Sequence, residues 1–198
     1  MKRRIGAFAV AASLLVLVLN AQPAAASVIS VSGSQAFASP GDPVGAACIA
    51  ADPVPGGAPA VLTMSGSLVG CWYVVDLVDK FQDNGALQET GHELFVGCLD
   101  RGDDGSCSGD PSGTLSFSYV FTGKFDPVTF EEIKGRCHHH VDEGTDGFAQ
   151  ASGVINFKDD VEAGIATYDG NLKLASPSNT TSTSRSRAGR TAAPTATC

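Results

Sequence analysis

The chain has 198 residues, 43% of them hydrophobic, and a formal charge of −8 at pH 7. Lys2, Arg3 and Arg4 precede Ser27 and Arg185, Arg187 and Arg190 follow Leu174, so setting those six cations aside takes −8 to −14 over 27–174. A body this acidic repels phosphate backbones and anionic bilayers, which argues against nucleic acid and anionic membrane surfaces as partners.

Met1-Lys2-Arg3-Arg4 is a basic n-region, Ile5 to Leu19 an apolar h-region, and Gln22-Pro23-Ala24-Ala25-Ala26 before Ser27 a small-residue cleavage site. Residues 1–26 therefore read as a signal peptide cut after Ala26. The apolar run of about 15 residues is short of the roughly 20 that span a bilayer, and no later stretch is apolar enough to do so. The expectation is a secreted, extracellular protein that leaves the membrane once the leader is removed.

The segment 27–174 has the size of one domain, and its hydrophobic period is two. The clearest strand is Thr114 to Thr122, where Leu115, Phe117, Tyr119 and Phe121 share one face and mostly hydroxyl residues the other. Gly70 to Val78 is apolar on both faces, as a strand covered on both sides would be. Asp83-Asn84-Gly85 is a turn signal, after which Gln88 to Leu99 returns antiparallel. Further strands are expected at Val28 to Phe37, Ala60 to Leu68, Lys134 to Val141, Gly153 to Lys158 and Ile165 to Leu174. About eight successive strands joined by turns favour an up-and-down barrel or a sandwich, and a closed barrel removes the edges a secreted sheet must otherwise protect. The segment 175–198 is Ser, Thr, Pro, Ala and Arg with no hydrophobic period, and its composition predicts a disordered tail.

All six cysteines lie beyond the cleavage site, where disulfides persist. Six permit 15 pairings. Cys98 and Cys107 bracket a loop too polar to pack alone, and a bridge across its base is expected. Cys71 and Cys137 both sit in strand-like runs, which suggests a bridge between neighbouring strands or across the barrel. Cys48 lies in a Gly/Pro stretch and Cys198 in the tail, so their pairing is open. None has the spacing of a zinc or redox motif.

The stretch Gly144-Thr145-Asp146-Gly147-Phe148-Ala149-Gln150-Ala151-Ser152-Gly153-Val154, with Phe157-Lys158-Asp159-Asp160 and Tyr168-Asp169-Gly170 after it, reads as strand, glycine-punctuated turn and strand, with Phe148-Ala149 as an apolar plug folding back on the sheet. It resembles the Gly-Thr-Gly-x-Phe-x-x-Ala-x-Gly segment of allene oxide cyclase-like and dirigent-like proteins, and more closely that of uncharacterised secreted bacterial proteins of that type. Asp146 stands where that segment usually has its second glycine. The resemblance covers about forty residues; it implies an all-β, eight-stranded antiparallel, calycin-like barrel with a ligand-sized interior. It carries over no active-site residue.

Three constellations bear on chemistry. On a strand, His138 and His140 share a face and form an i, i+2 metal pair, with Glu143 or His92 as a third ligand; otherwise the run from His138 to His140 is polar strand surface in water. The acidic loop Asp100 to Gly105 clusters carboxylates as a calcium site would, without the alternation of an EF-hand. Trp72, Tyr73, Phe117, Tyr119 and Phe121, with Asp76 and Glu89 on neighbouring strands, are either the lining of an interior pocket or the filling of a solid barrel. No G-x-S-x-G elbow or phosphate-cradling loop is present, and no motif calls for a cofactor. Function is thus expected to be binding of a small apolar or aromatic molecule or a structural role, with an isomerase or cyclase working inside the barrel, or metal binding by the histidines, as alternatives.

Overall fold

A computed structural model describes residues 26–100, 107, 110 and 112–175. The signal peptide expected over 1–26 and the tail expected over 175–198 fall outside them apart from their boundary residues, as does the acidic loop after Asp100. Eight strands form a closed antiparallel barrel in sequence order: β1 (Ser27–Phe37), β2 (Val61–Gly66), β3 (Leu68–Phe81), β4 (Ala86–Leu99), β5 (Ser112–Phe125), β6 (Glu132–Gly144), β7 (Ser152–Asp160) and β8 (Ile165–Leu174). Closure is made by β1 against β8, from Ser27 opposite Leu174 to Gln35 opposite Ala166. Each of the eight strands thus has a neighbour on both sides, the condition that favoured a barrel over a sandwich, although β2 covers only the Gly70–Tyr73 part of β3.

Alternation fixes which side chains fill the interior. At the base, where β1 begins and β8 ends, Leu68, Phe95, Leu99, Leu115, Ile155 and Leu172 pack into a dry core. Phe148 closes this base from a 3-10 turn, Asp146–Phe148, between β6 and β7. Its ring is 0% exposed and meets Phe95 edge-on at 6.1 Å between centroids. The plug depends on Gly144, because a Cβ there would lie 2.2 Å from the Phe148 carbonyl oxygen. Asp146 has φ 50°, the left-handed conformation that a short polar side chain tolerates.

The outside of β3 is covered by α1 (Pro43–Ala50), which opens with Asp42 accepting a hydrogen bond from the Gly45 N–H at 2.8 Å and Pro43 in its first turn. Tyr73 lies beneath this helix and donates its hydroxyl to the Cys48 carbonyl at 3.0 Å. Cys48 and Cys71 form a disulfide there, and Cys98 is bridged to Cys107. The expected partnership of Cys71 with Cys137 is therefore corrected: among the described residues Cys137 is a free thiol. Register explains it. Cys71 alternates with the inward Trp72 and faces out toward α1, whereas Cys137 faces into the barrel, so the wall separates them.

Candidate functional site

Above the dry base the barrel opens into a cup of about 470 Å³. Its mouth lies at the end where β1 finishes and β8 begins, and exposed Phe37, Val161 and Ile165 stand on the rim, Phe37 at 73% exposure.

Glu93 and His139 form the floor, with Trp72 directly beneath them. The Trp72 indole N–H donates to Glu93 Oε2 at 2.7 Å, and His139 Nε2 meets the same oxygen at 2.5 Å. Nε2 must carry the proton to donate to a carboxylate, which leaves Nδ1 as the nitrogen that is buried without a partner among the described residues. His139 is 3% exposed. Its ring is stacked on Tyr119 at 5.6 Å and held edge-on by Trp72 at 5.3 Å and by Phe157 at 4.7 Å. Glu93 is on β4 and His139 on β6, with β5 between them in the wall, so the pair meets through the barrel interior beside Tyr119 and Phe117.

On the wall, the Tyr119 hydroxyl donates to Glu89 Oε1 at 2.6 Å. Burial first, then this bond and the negative charges nearby, push the phenol well above its usual range. Cys137 Sγ lies 3.5 Å from His139 Nε2. Burial, with Glu93, Glu89 and Asp159 close by, holds Cys137 as a thiol far from the thiolate form that a nucleophile or soft-metal ligand requires. Higher up, Glu132 on β6 faces Asp159 on β7. Burial, a hydrogen bond from Glu132 to Asp159 and the Asp159 charge push Glu132 up to about 7. The room for this pair is made by Gly135, where a Cβ would sit 1.9 Å from Asp159 Oδ2 and 2.4 Å from Glu132 Oε1.

The expected lining divides three ways. Tyr119 and Phe121 line the cup. Trp72 and Phe117 are sealed under its floor, stacked at 4.6 Å, and belong to the core. Tyr73 is on the opposite face of the wall, under α1. Of the two acids named with them, Glu89 points in, but Asp76 follows a register shift after Val74 and pairs with His92 in water at 3.0 Å.

His138 and His140 share the outer face of β6, as an i, i+2 pair on a strand should, each with a partner of its own. His138 is exposed and bonded to Asn156 at 2.8 Å, His140 is exposed and near Asp142 at 3.4 Å, and the middle residue of the run is the one turned inward. His92 and His140 flank Ser118 on successive strands, and each ring is turned to a carboxylate of its own, Asp76 for His92 and Asp142 for His140. Among the described residues no three His, Cys, Asp or Glu side chains converge on a metal-sized point.

Comparison with protein-family models, with curated proteins and with solved structures gives no match. The class defined by fold and site is a disulfide-stabilised antiparallel β-barrel, plugged at one end and cupped at the other.

Proposed function

We propose that this barrel is a secreted binding protein that takes a small apolar or aromatic molecule into its cup. The observation that carries the reading is the one-ended cavity: a barrel needed only as a scaffold would be packed along its whole axis, as the base of this one is, whereas about 470 Å³ is kept open beside Phe121, Phe125, Leu77 and Leu87. The leader-like N-terminus and the two disulfides support an extracellular setting. Among the described residues no helix is long and apolar enough to cross a membrane. Titration of the full chain with the neutral fluorophore Nile red tests the reading. Saturable one-to-one binding that Ala166→Trp, a substitution filling the cup, abolishes is the expected result; binding unchanged by Ala166→Trp, or no binding, overturns it.

A second reading, an isomerase or cyclase, is supported by the Glu93–His139 pair and the Tyr119 hydroxyl at the floor and by the resemblance to allene oxide cyclase-like and dirigent-like proteins. A carboxylate and an imidazole in contact can pass a proton, and a phenol can donate to a developing oxyanion. Loss of turnover in Glu93→Gln, with ligand binding retained, is its test.

A further inference from the structure

Five carboxyl groups line the cup, Glu89, Glu93, Glu132, Asp159 and Asp160, and among the described residues no lysine or arginine does. Three of the five already have donors, Asp160 from the Ala163 N–H at 3.0 Å. Glu93 receives Trp72 and His139, and Glu89 receives Tyr119. Glu132 and Asp159 differ, because each is an acceptor facing another acceptor and the contact between them requires a shared proton. Glu132 Oε1 is shut off from solvent and receives no N–H or O–H from the described residues.

The surroundings do not neutralise the pair. Lys124 on β5 is occupied by the Asn84 carbonyl. Lys134 and Arg136 on β6 and Lys158 on β7 alternate with inward residues and stand on the outer face. Of the other charged groups at this end, Asp79, Asp83, Asp126, Glu131, Asp160 and Glu162 are acids, and the lysine, Lys80 on β3, is exposed on the strand opposite Gln88. The Phe121 ring borders the space left by Gly135 together with both carboxyls. Two acceptors beside an aromatic ring, with no lysine or arginine of the described residues lining the cup, is the arrangement that receives an ammonium group.

We propose that the cup selects an organic cation, a primary or substituted ammonium on an apolar or aromatic body, with its nitrogen between Glu132 and Asp159 and its body against Phe121 and Phe157. This rests on the reading of the cup as a binding site and names the class of its ligand. The nitrogen takes the place of the shared proton, which leaves to solvent, so the cation exchanges for one hydrogen ion and the site stays electrically balanced. Because Glu132 is pushed up to about 7, that exchange occurs near neutral pH.

Isothermal titration calorimetry of the full chain with three probes on one skeleton, naphthylmethylamine, naphthylmethanol and naphthoic acid, tests the proposal. The amine should bind about tenfold or more tighter than the alcohol, the acid weakest of the three, and the heat of amine binding near neutral pH should vary with the ionisation enthalpy of the buffer. In the Glu132→Gln, Asp159→Asn double variant the amine should fall to the level of the alcohol while the alcohol keeps its affinity. Equal binding of amine and alcohol overturns the proposal and leaves the cup as a general apolar site. An amine preference that survives the double variant overturns it by assigning the preference to the acidic body at large. Failure of all three probes to bind overturns both this proposal and the binding reading beneath it.

Discussion

The run His138-His139-His140 allows a test of the barrel's interior within three consecutive residues. His139→Ala removes an imidazole held between Tyr119, Trp72 and Phe157 and takes away one of the two donors on Glu93 Oε2. Breaking a buried pair by deleting one partner costs about 3–5 kcal/mol, because the other is left without its counterpart. With a urea slope of about 2 kcal/mol/M, a loss of about 4 kcal/mol lowers the unfolding midpoint by about 2 M. His138→Ala and His140→Ala remove exposed rings whose contacts are with Asn156 and Asp142 in water, and each should change stability by no more than about 0.5 kcal/mol. Equilibrium urea unfolding followed by tryptophan fluorescence is suited to this, since Trp72 is the chain's one tryptophan and lies in the site. A cycle with Glu93→Ala should give a coupling of about 1–3 kcal/mol between the two residues. Equal midpoints for the three histidine variants, or strict additivity of Glu93→Ala with His139→Ala, would refute the reasoning.

Phe148→Ala should cost about 3–5 kcal/mol, the loss of a buried aromatic whose place nothing else can fill, read as a lower urea midpoint with the barrel signature in circular dichroism retained at low denaturant. Replacing both Cys48 and Cys71 with Ser opens a bridge that spans 23 residues of sequence, and the unfolded chain should gain freedom worth about 3 kcal/mol; an unfolding midpoint that is the same in the variant and the oxidised parent would contradict this. For Glu132 the folded pKa lies above that of the unfolded chain, so its contribution is fully present below the ordinary carboxylate range and is lost as pH rises through about 7. Across that window the Tm of the parent should fall more steeply than that of Glu132→Gln, and parallel curves would show that the carboxyl pair does not hold the proton.

The barrel was legible where burial is one-sided. Leu115, Phe117, Tyr119 and Phe121 alternate with hydroxyl residues because one face of β5 is core and the other water. In β3 the apolar residues on both faces suggest cover on both sides, which holds only as far as Val74, since Val75, Leu77 and Val78 are exposed, and pattern alone cannot say that Trp72 meets the core while Tyr73 meets a helix. That helix was hidden because its eight residues are small and apolar all round, so they show no 3.6-residue period; the one local signal was Asp42 before Pro43, an N-cap followed by a first-turn proline. His139 could have been placed by its own strand. Gly135, Cys137 and Val141 share its parity, and that apolar set marks the odd positions as the inner face. Its pairing with Glu93 could not, since the two are 46 positions apart on strands that never hydrogen-bond to each other, and only closure of the sheet brings them together.

Because Ser27 and Leu174 face each other at the plugged base, the two termini of the domain leave side by side and point away from the mouth. Any surface, linker or second domain joined at either end would hold the barrel like a goblet by its foot, with the opening turned outward. Display of the protein on a bead or a cell through either terminus should therefore leave ligand access intact, and joining 174 to 27 through a short loop while opening the chain in a hairpin elsewhere should preserve the wall, since the junction spans neighbours in one ladder.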